Sequence, residues 1–68
     1  MAVLNTIELE GVSERSWHDA AREALREASR TLRNIRRLDV LATSGHLDGT
    51  TVEYRTQVRL TFEVDPDR

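Results

Sequence analysis

Cysteine and lysine are both missing from this chain of 68 residues, and each absence removes a class of explanation. Without cysteine there is no disulfide to staple a small fold and no thiolate to hold a structural metal. Without lysine, all 10 basic residues are arginines. That fits either a compositional bias of the lineage or a use of planar guanidinium groups for bidentate contacts with carboxylates and phosphates. Aromatic residues number three, Trp17, Tyr54 and Phe62. The two histidines, His18 and His46, stand far apart and make no ligand pair at helical spacing. No stretch approaches the roughly 18 apolar residues of a membrane span.

What remains is enough for one small domain over residues 1–68. The composition is 38% hydrophobic, and domains of this size bury only about 60% of their unfolded surface. With disulfides and thiolate metal sites excluded, oligomerisation is the expected support. The formal net charge is −2, so the chain as a whole is not built to attract nucleic acid. The opening Met1-Ala2-Val3-Leu4-Asn5 lacks the charged and apolar regions of a secretory signal, and a soluble cytoplasmic protein is expected.

Hydropathy periodicity organises the chain. Val3 to Glu10 places Val3, Ile7 and Leu9 on one side with Glu8 and Glu10 opposite, a first strand that Gly11 should break. Ser13 then offers a hydroxyl to cap a helix beginning at Glu14, with Ser16 standing where a capping box would have Glu or Gln. From Glu14 to about Arg33, the residues Trp17, Ala20, Ala21, Ala24, Leu25, Ala28 and Leu32 recur at three- and four-residue spacing, an amphipathic helix whose alanines allow close packing on a sheet. Arg15, Arg22, Arg26, Arg30 and Arg33 fall outside that stripe among Asp19, Glu23 and Glu27. They read as a solvated face, with Asp19–Arg22 and Glu27–Arg30 as candidate pairs.

Asn34 is a suitable helix terminator. Arg37 to His46 alternates again, with Leu38, Val40 and Ala42 on one side, Arg37, Asp39 and Thr43 on the other, and Leu41 breaking the pattern. Asp48-Gly49 marks a hairpin turn. Thr51 to Val64 then alternates with hardly a break, and Pro66 should end it. The expectation is an α+β fold of order β-α-β-β, a three-stranded antiparallel sheet with one helix across one face. The last strand, about fourteen residues long, would extend roughly 45–50 Å, while a twenty-residue helix spans about 30 Å. One helix cannot cover the apolar side of that strand, so the overhang calls for another chain.

Candidate chemistry is sparse. Ser16-Trp17-His18-Asp19 has the residue types of a hydrolytic triad, but consecutive helical side chains diverge by about 100° and cannot converge on a substrate. Gly11-Val12-Ser13 is too short for a phosphate loop. His46 and Asp48 around Gly45 and Gly49 could hold a metal or ligand, although a plain hairpin turn explains them. Asp39, Glu53 and Glu63 are expected to answer neighbouring arginines rather than act in catalysis. Trp17 is expected to anchor the core, its indole N–H needing a partner or a wet edge. By alternation, Arg37, Asp39, Arg55, Gln57 and Arg59 share the polar side of the sheet.

The chain resembles the dodecins over nearly its whole length. The resemblance is carried by Ile7-Glu8-Leu9-Glu10-Gly11-Val12-Ser13 leading into Ser16-Trp17 and the alanine-rich helix. It continues through Thr31-Leu32-Arg33-Asn34-Ile35, Gly45-His46-Leu47, Asp48-Gly49 and the run from Tyr54 to Val64. It implies a non-catalytic hollow homododecamer for storing or buffering a small ligand, in many members a flavin. Flavin-binding members carry a Trp at the start of the second strand, where this chain has Arg37. They carry a Gln after the aromatic of the third strand, where it has Arg55. Many bacterial members have an Arg before the Gly ending the second strand, where it has Ser44. The implied ligand-binding residues are therefore Arg37, Ser44, Arg55 and Gln57, with no metal assigned. The natural ligand stays open: riboflavin or FMN would be weakened rather than excluded, since Arg37 can still stack on an aromatic plane, and other members have been associated with calcium or coenzyme A.

Overall fold

The structure, a computed structural model, describes residues 1–64. Four elements follow in the expected order: β1 (Val3–Ser13), α1 (Trp17–Ala28), β2 (Ile35–Asp48) and β3 (Thr51–Val64). The sheet order is β1-β3-β2, both pairings antiparallel. The last strand is therefore the central one, and α1 carries the chain over it from β1 to β2. Pro66, expected to end the last strand, lies outside the described residues.

β1 runs past Gly11, which pairs with Thr56 instead of breaking the strand. A β-carbon there would lie 1.8 Å from the Ala20 carbonyl oxygen, so glycine serves the close approach of the helix backbone, not a turn. This displaces the helix start from Glu14 to Trp17. Ser16 is the N-cap, accepting a hydrogen bond from the Asp19 amide at 2.9 Å. Ser13, expected to cap, remains in the strand; its Oγ accepts from the Arg15 amide and donates to Asp19 Oδ2 at 2.7 Å. The helix ends at Ala28 instead of near Arg33, and turn bonds continue only to Leu32. Asn34 then adopts φ 61°, a left-handed conformation that asparagine tolerates better than most residues, and turns the chain into β2.

The core is small. Ala20, Ala24 and Ala28 face the sheet, and Val58 and Leu60 meet them from β3; these are the buried apolar residues. Ile7, Leu9, Leu25, Leu32, Ile35 and Leu38 pack around this centre. Thr56 is also buried on the helix side, its hydroxyl donating to the Trp17 carbonyl at 2.8 Å.

The register of β2 on β3 slips between Ile35 and Arg37 and again between Val40 and Ala42. Leu41, which broke the alternation in the sequence, is the extra residue of the second slip. An added residue reverses which side later residues face. Thr43 thus pairs with Thr56 of the helix side and Ala42 with Gln57 of the polar side, exchanging the sides that simple alternation assigned them. The hairpin closes as expected, with Gly49 (φ 64°) and Thr50 between the paired Asp48 and Thr51.

Two substitutions check this packing by urea denaturation at fixed protein concentration. Gly11→Ala should destabilise by about 2–3 kcal/mol, because the new methyl forces the helix off β1. Ser16→Ala should cost about 1 kcal/mol through loss of the cap. An alanine at position 11 tolerated without loss would mean that α1 is not seated against β1.

Candidate ligand-binding face

On β3 the odd-numbered residues Glu53, Arg55, Gln57, Arg59, Thr61 and Glu63 point away from the helix, opposite the buried Thr56, Val58 and Leu60. Register carries this polar face across the sheet. Arg59 stands between Glu8 of β1 and Asp39 of β2, and Arg55 between Val12 and Ser44. Arg37 pairs with Thr61. Ser44 reaches this face because of the bulge at Leu41.

The four expected ligand residues therefore share one face, but one chain does not gather them all. Ser44 and Arg55 are register partners and Gln57 is the next residue on the same side of β3. Arg37 lies six positions further along, near Thr61, which at about 3.3 Å per residue is roughly 20 Å away.

Each strand carboxylate expected to answer an arginine does so. Asp39 meets Arg37 at 3.0 Å, Glu53 meets Arg55 at 2.7 Å and Glu63 meets Arg36 at 2.9 Å. β1 adds two partners that were not foreseen, Glu8 to Arg59 at 3.1 Å and Glu10 to Arg55 at 3.6 Å. They escaped sequence reasoning because the pairing of the first strand with the last had to be known. The hydrogen bond to Glu53 is the main reason that the Arg55 guanidinium is held still more firmly protonated than an ordinary arginine, with the charges of Glu53 and Glu10 adding to it. The arginines differ in freedom: the Arg37 side chain is 70% exposed and that of Arg55 36%.

On the helix, Glu27–Arg30 forms as expected at 3.4 Å. Asp19–Arg22 does not, because Asp19 is taken by Ser13, and Arg26 pairs with Glu23 instead. Trp17 is not the buried anchor expected of it: 44% of its surface remains exposed. Its ring meets Tyr54 edge-on at 4.9 Å between centroids, and its indole N–H donates to the Ser44 carbonyl at 2.8 Å. Trp17 thereby ties the helix start to the strand segment that presents Ser44. Among the described residues no group of three His, Asp or Glu side chains is placed to hold a metal ion, and no helix is long and apolar enough to cross a membrane.

Residues 3–65 match the family model described as Dodecin, and the chain belongs to the dodecin family. A variant of the Thermus thermophilus dodecin is similar at 29% identity and TM-score 0.91, covering 96% of this chain and 98% of that one. A Mycobacterium tuberculosis protein described as calcium dodecin, a calcium-chelating antigen with a novel calcium-binding site, is similar at 28% identity and TM-score 0.84. The match covers 97% of this chain and 96% of that one. Dodecin from Streptomyces coelicolor has a TM-score of 0.91 over 97% of this chain and 96% of its own, at 24% identity, a likeness of fold alone. Comparison with curated proteins gives no match.

Replacing Trp17 by Phe keeps an aromatic edge against Tyr54 but leaves the Ser44 carbonyl without its donor. The expected cost is about 1 kcal/mol, read from the urea midpoint. No loss would show that the indole N–H bond contributes nothing net over water.

Proposed function

We propose that this dodecin is a non-catalytic, cytoplasmic homododecamer that binds, stores or buffers a small ligand, and that the family's flavin pocket has become an arginine-lined one. The observation that carries this reading is the state of Arg55. A glutamine at that position offers an amide to a flavin ring edge, whereas the Arg55 guanidinium is engaged by Glu53 and Glu10 of its own chain. Arg37, in place of the stacking Trp, lies on the same face. Since about 20 Å separates it from Arg55 within one chain, a pocket using both takes Arg37 from one subunit and the Ser44, Arg55 and Gln57 group from another.

A second reading, a working riboflavin or FMN binder, is favoured by the exposure of Arg37. With Asp39 as its partner and 70% of its side chain free, its guanidinium can lie flat against an isoalloxazine ring. Losing the Trp removes an aromatic pair worth about 0.5–1.5 kcal/mol beyond its buried area.

Flavin fluorescence separates the two. Titrating riboflavin or FMN with micromolar protein should give no stoichiometric quenching, and the combined Arg37→Trp, Arg55→Gln variant should bind at least about tenfold tighter, a change of about 1.4 kcal/mol. Tight quenching at pocket stoichiometry by the unmodified protein would establish the second reading. A double variant no better than its parent would place further changes elsewhere in the pocket.

A further inference from the structure

On the inner side of the sheet α1 rests on β1 and β3 and barely touches β2; the proposed ligand site lies on the outer side. There its two arginines are held in opposite ways. A guanidinium clasps a carboxylate or phosphate through two parallel bonds along one of its edges. At Arg55 the edge formed by Nε and Nη2 is already closed by Glu53, whose Oε1 accepts from them at 2.9 and 2.7 Å. Nη1, on the remaining edge, faces Glu10 Oε2 at 3.6 Å. Arg37 is engaged through Nε alone, by Asp39 at 3.0 Å, and its Nη1 and Nη2 make no hydrogen bond among the described residues.

We propose that Glu53, assisted by Glu10, determines the charge specificity of the ligand site: it bars phosphate and carboxylate groups from the Ser44, Arg55 and Gln57 corner and leaves Arg37 to receive them. The inference rests on the ligand-binding role of the preceding section. It names the class of ligand, a two-ended molecule whose acidic group lies on Arg37 and whose uncharged end lies in the corner. Charge argues for it as geometry does. The corner sets two carboxylates, Glu10 and Glu53, against the one guanidinium of Arg55. Arg59, the next cation along β3, brings no surplus, because Glu8 pairs with it at 3.1 Å and Asp39 is its register partner on β2. An anion entering there meets more negative charge than positive, and it has to displace one of the two acids to reach a donor edge. At Arg37 the balance is even, one guanidinium with Asp39, and Glu63 is taken by Arg36.

Inorganic sulfate is the probe, and the Cζ resonances of carbon-13-labelled arginine report each guanidinium, assigned through Arg37→Lys and Arg55→Lys. His46 is the register partner of Glu53, so the titration is run at about pH 8, above the range in which histidines ordinarily take up a proton, and at low ionic strength. In the unmodified protein, sulfate should shift the Arg37 resonance to saturation and leave that of Arg55 in place. Glu53→Gln, which keeps the side chain's size and removes its charge, should bring Arg55 into the response, with an apparent sulfate affinity at least about tenfold above the parent's. Should that variant change oligomer size, Glu10→Gln, which opens the other edge, decides. An Arg55 that answers sulfate as strongly as Arg37 in the unmodified protein would overturn the inference. So would an Arg37 that ignores sulfate, or an Arg55 still silent once its acids are neutralised. Each of these results would leave the binding role of the assembly standing, whereas tight flavin quenching would overturn the arginine-lined reading itself, on a readout independent of sulfate.

Discussion

Between Gly11 and Ala20 the helix and the first strand come so near that a methyl group cannot be placed there. The alanines at positions 20, 24 and 28 extend this short interlayer spacing along the helix. Small side chains permit the approach, and the approach then fixes where the helix lies: over β1 and β3, and away from β2. From that placement follow the bare inner side of β2, the exposure of Trp17 and the modest size of the core. A bulkier helix face would stand further from the sheet and could spread over all three strands. The unusual closeness at one edge of the layer is thus the origin of the openness at the other.

The outer side of the sheet follows a different logic. It is dense in charge, yet its arginines have carboxylates within reach: Glu8 for Arg59, Glu10 and Glu53 for Arg55, Asp39 for Arg37. These are partly exposed pairs, individually worth little in water, but under the proposed function they set what a ligand would meet. An anion arriving there would compete with acids already in place, and an aromatic ring would meet guanidinium planes. Arg37, the least constrained of the set, differs most from the family pattern and is also the best able to reorient.

Much of this was legible in the chain. Strict alternation from Thr51 to Val64 defined both faces of β3, and Ala20, Ala24 and Ala28 at helical spacing gave the packed side of α1. What escaped depended on contacts distant in sequence. Gly11 reads as a strand breaker until the backbone of Ala20 is seen against it, and Ser13 reads as a cap until the strand is found to continue through it. Leu41 was visible as an exception to alternation, but its meaning, an inserted residue that turns Ser44 toward Arg55, needed the register with β3. For the same reason the family resemblance could nominate Arg37, Ser44, Arg55 and Gln57 without revealing that Arg37 stands apart from the rest within one chain.

The strand order also bears on how the molecule comes into being. β2 and β3 are joined by a two-residue turn and can zip together locally, whereas β1 must find a partner made after both α1 and β2: Val3 pairs with Val64. Closing so long a loop before any contact rewards it is slow. During synthesis the first strand waits with an unpaired edge until β3 has emerged, so the nascent polypeptide cannot complete its sheet, or offer a finished surface to its neighbours, before then.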